Sequence, residues 1–248
     1  MQLLAVFIFF TRLPFWKIKE VPKEYFKNVV FYWPLVGILT GGIMALMLYF
    51  MAQVFPLRIA VIFALISRVL ITGGLHEDGL ADFFDGFGGG LTRKTTLAIM
   101  KDSYIGTYGV LSLIIYYILS YSILISLPLD LCILTVFVGD IFAKAVASNI
   151  INLLPYARKE EESKAKNIYN KMRPINFIFI IIMGLSPLFL LFPPIYYIAI
   201  ILPVLIFFFL INIMKHKISG YTGDCCGALF LLCEIAFYIS ILAIFTII

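Results

Sequence analysis

Charge is scarce in this chain. Lys and Arg number 19 and Asp and Glu 14 among 248 residues, 13% in all, where an ordinary soluble domain carries roughly 25%. With 62% hydrophobic residues and a mean hydropathy of +1.05, that shortage excludes a soluble domain of ordinary composition and implies an integral membrane protein. Histidine is nearly missing too. There are two, and the four cysteines, Cys132, Cys225, Cys226 and Cys233, form no CxxC pair and have no histidine partners at zinc spacing. They read as small apolar residues. The N-terminal "MQLLAVFIFF" lacks a basic region ahead of it and a small-residue cleavage site after it, and it meets Arg12 and Pro14 at once. That makes a poor signal peptide, too short to span, and predicts a helix lying in the interface or re-entering the membrane. Internal repeats and low-complexity tracts are lacking as well, so one helical membrane domain, 1–248, is expected.

What the chain has is apolar runs. Stretches near 29–55, 57–75, 105–127, 130–153, 175–192, 194–214 and 226–247 are long enough for a bilayer core, which needs roughly 20 residues each. The predicted fold is all-α, a polytopic bundle of about seven transmembrane helices, with interfacial helices at the N-terminus and around 79–103. Of the 19 basic residues, 16 fall in 12–27, 93–101, 158–173 and 215–217, segments that alternating spans put on one side. The opposite connections, "FPLR", "LPLD" and "FPPI", carry only Arg58. The basic side is then cytoplasmic, which predicts a cell-membrane protein with its N-terminus and active site facing the cytoplasm. No aromatic-interleaved motif accompanies the basic loops, so lipid headgroups rather than nucleic acid are their expected contacts. A homo-oligomer is left open.

The acidic residues are the informative minority. Glu77, Asp78, Asp82 and Asp85 fall within nine residues of "TGGLHEDGLADFFDGFGGG" at 72–90. At about 100° per residue, Asp82 sits roughly 40° round a helix from Asp78, and Asp85 roughly 20° the other way. Three carboxylates then share one face. Like charges about 6 Å apart repel by roughly 3 kcal/mol at an effective dielectric near 20, but by only about a few tenths on a water-exposed helix. The pattern therefore demands a cation only if the face is shielded; otherwise it is a solvated turn. Asp102 and Asp224 land on the same side by topology. Gly79 and Gly86, seven apart, mark a face where a neighbouring helix or a substrate could come close, and "GGG" at 88–90 ends the helix.

Further segments point the same way. "IMKDSYIGTYG" at 99–109 puts Lys101 and Asp102 just before a span, and "PYARKEE" at 155–161 presents Tyr156 and Arg158 at a span end. "SGYTGDCCGALFLLCE" at 219–234 enters the last span through a Gly-rich turn bearing Thr222 and Asp224, of the kind that aims backbone N–H groups at phosphate. Inside the spans, Asp140 and Lys144 are one turn apart and are expected to neutralise each other. Glu234 has no partner four residues away and should face the bundle interior.

"FFTRLPF", "WPLVGILTGG", "TGGLHEDGLADFFDG", "IMKDSYIGTYG", "LPYAR" and "GYTGDCCGA", followed by Glu234, together resemble the cobalamin synthases, the adenosylcobinamide-GDP ribazoletransferases. The likeness runs along nearly the whole chain. It implies that a ribose hydroxyl of α-ribazole, or of its 5′-phosphate, attacks the cobinamide-linked phosphate of adenosylcobinamide-GDP, and that GMP leaves. Such enzymes use Mg²⁺, and a carboxylate face is the hard-oxygen set that ion prefers. Carried over, the resemblance puts Asp78, Asp82 and Asp85 on metal and makes Asp82 and His76 catalytic, although His76 could equally be a packing residue. Lys101, Asp102, Arg158, Thr222, Asp224 and Glu234 would contact substrate, Asp224 alternatively serving as a ligand. Glu77 stands where an apolar residue is usual, Lys144 where arginine is expected, and the 159–167 run "KEEESKAKN" replaces a Gly-rich stretch. A CDP-alcohol phosphotransferase would share the membrane setting and metal, but its signature has Ala-Arg after the first Asp-Gly, where this chain has Leu80-Ala81-Asp82. A transporter relaying through Asp140, Lys144 and Glu234 would leave the surface carboxylates unexplained.

Overall fold

In lipid no water is available to pair a backbone amide, so long apolar runs must satisfy themselves as helices. The computed structural model describes residues 1–158 and 169–248; the 159–167 run lies outside them. The helices are α1 (Gln2–Phe10), α2 (Trp33–Ala52), α3 (Leu57–Thr72), α4 (Leu75–Gly89), α5 (Arg93–Ile99), α6 (Thr107–Ile125), α7 (Leu129–Ser148), α8 (Ile150–Leu153), α9 (Pro174–Leu191), α10 (Ile201–Ile218) and α11 (Gly223–Ile247). Tighter 3-10 turns at Lys23–Tyr32 and Pro194–Ile200 extend α2 and α10 at their N-termini. Among the described residues, six helices are long and apolar enough to cross a membrane, and a seventh crossing is counted if α3 and α4 are taken as one broken span. The molecule is a polytopic helical bundle in which α7 and α11 are the inner helices and α9 and α10 the outer ones. All four cysteines are buried and unpaired.

The break between α3 and α4 positions the acidic segment. Gly73 and Gly74 have φ of 67° and 71°, the left-handed region that costs a side-chain-bearing residue most, and the chain bends there by 89°. α4 thus leaves the line of α3 at nearly a right angle. A side chain at Gly73 would collide with Arg12, whose backbone N–H donates to the Ile71 carbonyl at 2.6 Å. The end of α1 is thereby tied to the end of α3.

Beneath α4 lies a buried charged network, part of which the sequence does not announce. Arg68 on α3 is fully buried and donates Nη1 to both carboxylate oxygens of Glu234 at 2.6 Å. Its Nη2 donates to the Tyr116 hydroxyl at 2.6 Å. Tyr116 donates to Glu234 at 2.5 Å and Tyr238 donates to it at 2.9 Å. As expected, Glu234 faces the bundle interior with no counter-charge one turn away; Tyr238 there is a neutral donor, and the counter-charge comes from α3, far away in sequence. Lys144 donates to Asp140, as expected, and to Thr40 at 3.0 Å, and its ammonium lies 4.0 Å from the Phe230 ring centre. Glu77 joins this network rather than the surface: it is 3.5 Å from Arg68 and accepts from Tyr117 at 3.2 Å. Charged side chains of α3, α4, α7 and α11, with hydroxyls from α6 and from Thr40 of α2, are thus joined in a medium where an unpaired ion is expensive.

Candidate active site

Two elements build the site. α4 carries Asp78 and Asp82 one turn apart on its face toward α11, and α11 begins there with Asp224 in its first turn. The two helices come close because Gly79 and Gly227 oppose each other: a Cβ on Gly79 would lie 3.0 Å from the Asp224 carbonyl and 3.4 Å from the Gly227 Cα. Asp78, Asp82 and Asp224 each direct a carboxylate oxygen into one cluster, all within 4.8 Å of one another. Ligands on one Mg²⁺, at about 2.1 Å each, lie at most about 4.2 Å apart. At an octahedral ion at most one of the three pairs can be trans and the others sit about 3 Å apart, so the carboxylates would swing inward by up to about 1.8 Å; as a set of hard oxygen donors they suit a divalent cation.

Asp85 is not in that cluster. It is buried, and it accepts the backbone N–H of Gly106 at 2.7 Å and of Gly109 at 2.8 Å. Seven residues at 1.5 Å carry it about 10.5 Å along the axis from Asp78, so the shared angular face does not bring it to the same point. Its carboxylate instead holds the N-terminus of α6 against α4. Gly86, in turn, meets Thr96 and Met100 beside α5.

The other predicted residues separate into groups. Tyr156 and Tyr221 form an isolated bridge, with the Ala157 N–H donating to Tyr221 at 2.8 Å and the Tyr221 N–H to Pro155 at 2.9 Å. This pairing brings Tyr156 and Arg158 to the start of α11. Arg158 donates to the Leu97 carbonyl at 2.8 Å, and it lines two cavities. One, of about 110 Å³, is shared with Asp78, Asp224, His76 and Trp33. The other, of about 430 Å³, is shared with Arg93, Lys94 and Lys101. Lys101 thus belongs to a basic pocket next to the carboxylates rather than among them. Exposed Asp102 accepts the Tyr104 N–H at 3.1 Å, a turn contact. Thr222 is the N-cap of α11, accepting from the Cys225 N–H and donating to Asp224 at 3.2 Å; it orients the carboxylate. Glu234, expected in contact with substrate, is instead saturated by Arg68, Tyr116 and Tyr238 at 0% exposure and supports the site from below.

His76 is 2% exposed, packed 4.8 Å from the Phe230 ring and 5.5 Å from Trp33. Burial, with the charges of Lys144 and Arg68 adding to it, holds its imidazole well below the usual histidine range, so it is neutral. Burial likewise raises the Tyr169 and Tyr221 phenols, which remain hydroxyl donors at neutral pH.

A family model described as "Cobalamin-5-phosphate synthase" matches residues 2–242. A protein of Shewanella woodyi named adenosylcobinamide-GDP ribazoletransferase is 38% identical over 256 residues, covering 97% of this chain and 96% of that protein. Proteins of the same name from Shewanella sp. strain W3-18-1 and Shewanella oneidensis are each 35% identical over 240 residues, with 95% of this chain and 91% of theirs covered. No solved structure matches.

Proposed function

Because the chain belongs to the cobalamin-5-phosphate synthase family, we propose that it joins adenosylcobinamide-GDP to α-ribazole or its 5′-phosphate on a Mg²⁺ held by Asp78, Asp82 and Asp224. The observation that carries the metal assignment is the convergence of those three carboxylates within 4.8 Å, from helices far apart in sequence, beside a cavity. Bound there, the cation would neutralise phosphate oxygens and stabilise the charge that develops on transfer.

The protein's own groups do the rest. Arg158 is suited to bidentate contact with a phosphate and cannot ligate a cation; Lys101 adds charge from the adjoining pocket. His76 is neutral, lines the same cavity as Asp78 and Asp224, and has a buried Nε2 with no hydrogen-bond partner among the described residues. That nitrogen can accept the proton of the attacking ribose hydroxyl. As the new bond forms from the ribose oxygen to the cobinamide-linked phosphorus, the bond from that phosphorus to the bridging oxygen breaks, and GMP leaves with the oxygen. The reaction faces the cytoplasm at the cell membrane, a reading supported by the 16 basic residues gathered on one side, which also favour anionic headgroups.

Purified protein given adenosylcobinamide-GDP, α-ribazole 5′-phosphate and Mg²⁺ is expected to release GMP, and only when both substrates are present. Well-folded protein that releases none would overturn the assignment.

A further inference from the structure

The small cavity beside the carboxylates has a second character. Away from Asp78, Asp224 and Arg158 its walls are mostly aromatic: Phe9, Phe10, Trp33, Tyr156 and Tyr169, with His76 among them. Phe10 and Trp33 are stacked, ring centres 5.1 Å apart and planes within 10°. Two buried ring nitrogens there, Trp33 Nε1 and His76 Nε2, have no hydrogen-bond partner among the described residues, and the two side chains are 1% and 2% exposed. Leaving one such group unpaired is costly and two side by side are rare in a settled core. Both residues line the cavity, and a bound molecule toward which either ring turned its nitrogen would supply the missing partner.

The geometry points to a slot for the ribazole base, with the Trp33 indole N–H donating to its free ring nitrogen. This rests on the functional reading above and adds to it which substrate enters here. A benzimidazole-type base is flat, largely apolar and has one unsubstituted ring nitrogen, an acceptor. Those properties match a pocket whose walls are aromatic faces with an N–H donor among them. Guanine, the other base in the reaction, carries N7 and O6 acceptors and an N2 amine donor; its partners in this cavity would be Arg158 and the carboxylates at the polar end, not the aromatic faces. Because Asp78 and Asp224 line the same cavity, a base in its aromatic part leaves its ribose beside the carboxylates and His76 Nε2.

The chain has two tryptophans, and Trp16 is exposed at 52%. In a Trp16→Phe protein the emission therefore reports on Trp33 alone. Titration with α-ribazole, without Mg²⁺ or the second substrate, is expected to change that emission saturably, and GMP to leave it unchanged. In steady state, Trp33→Phe keeps the ring and removes the donor, so the KM for α-ribazole should rise about tenfold, the loss of one hydrogen bond to a neutral nitrogen. The KM for adenosylcobinamide-GDP should not move. Emission that responds to GMP and not to α-ribazole, an unchanged ribazole KM, or equal rises for both substrates would each overturn the slot. A protein that releases no GMP fails the functional reading alone, since the emission titration tests the slot independently. If Trp33→Phe does not fold, the titration of the Trp16→Phe protein still decides whether the slot takes α-ribazole.

Discussion

Asp82→Asn is expected to lower GMP release by about 100-fold or more, because one substitution removes a metal ligand and part of the compensation for transition-state charge. The change keeps the size and hydrogen-bonding capacity of the side chain, so folding should survive. The alternative predicts the opposite sign. If the face is merely solvated, removing one of several repelling carboxylates is neutral or slightly stabilising. The check is a rate measurement over a range of Mg²⁺ concentrations on folded protein. Activity within a fewfold of the unmodified chain, with the same Mg²⁺ dependence, would sink the metal site.

Arg68→Ala should be the most destabilising single change in the membrane core. It strands Glu234, and leaves Asp140 Oδ2 without its cation at 3.9 Å, both at 0% exposure. Breaking one partner of a buried pair costs about 3–5 kcal/mol, which for a chain of this size is about 10 °C or more in the midpoint of thermal unfolding. Detergent-solubilised protein followed by thermal unfolding reads this directly. Replacing both members, Arg68→Met with Glu234→Gln, should recover part of the loss, since the stranded charge of Glu234 is gone while Glu77 and Asp140 Oδ2 still lack the cation. A midpoint unmoved by Arg68→Ala would mean that the network carries no structural load.

The helices are legible in the sequence because span length and hydropathy are local properties, and each predicted run corresponds to a helix at nearly its expected place. The pairing of Asp78 with Asp82 is legible for the same reason, since four residues make about one turn. A helical projection groups Asp85 with them wrongly, because it gives angle and discards height along the axis. Asp224 stands out as polar and suitably placed, but nothing in the sequence fixes the depth at which α11 crosses α4; the Gly79 and Gly227 contact does. Arg68 is easily passed over inside "LISRVLIT", although a lone charge in an apolar run is itself a signal, and it is what explains Glu234. The aromatic slot leaves no trace beyond the scattered residues that line it, since an unpaired buried nitrogen is a property of the packed molecule.

The central claim is that α4 and α11 together hold one divalent cation, and Mn²⁺ binding followed by electron paramagnetic resonance tests it without any substrate. Purified protein is expected to bind Mn²⁺ with saturation and release it to excess Mg²⁺, whereas Asp224→Asn, altered far from the α4 carboxylates in sequence, should lose that binding while keeping its unfolding midpoint. Equal Mn²⁺ binding by the folded Asp224→Asn protein would contradict the account.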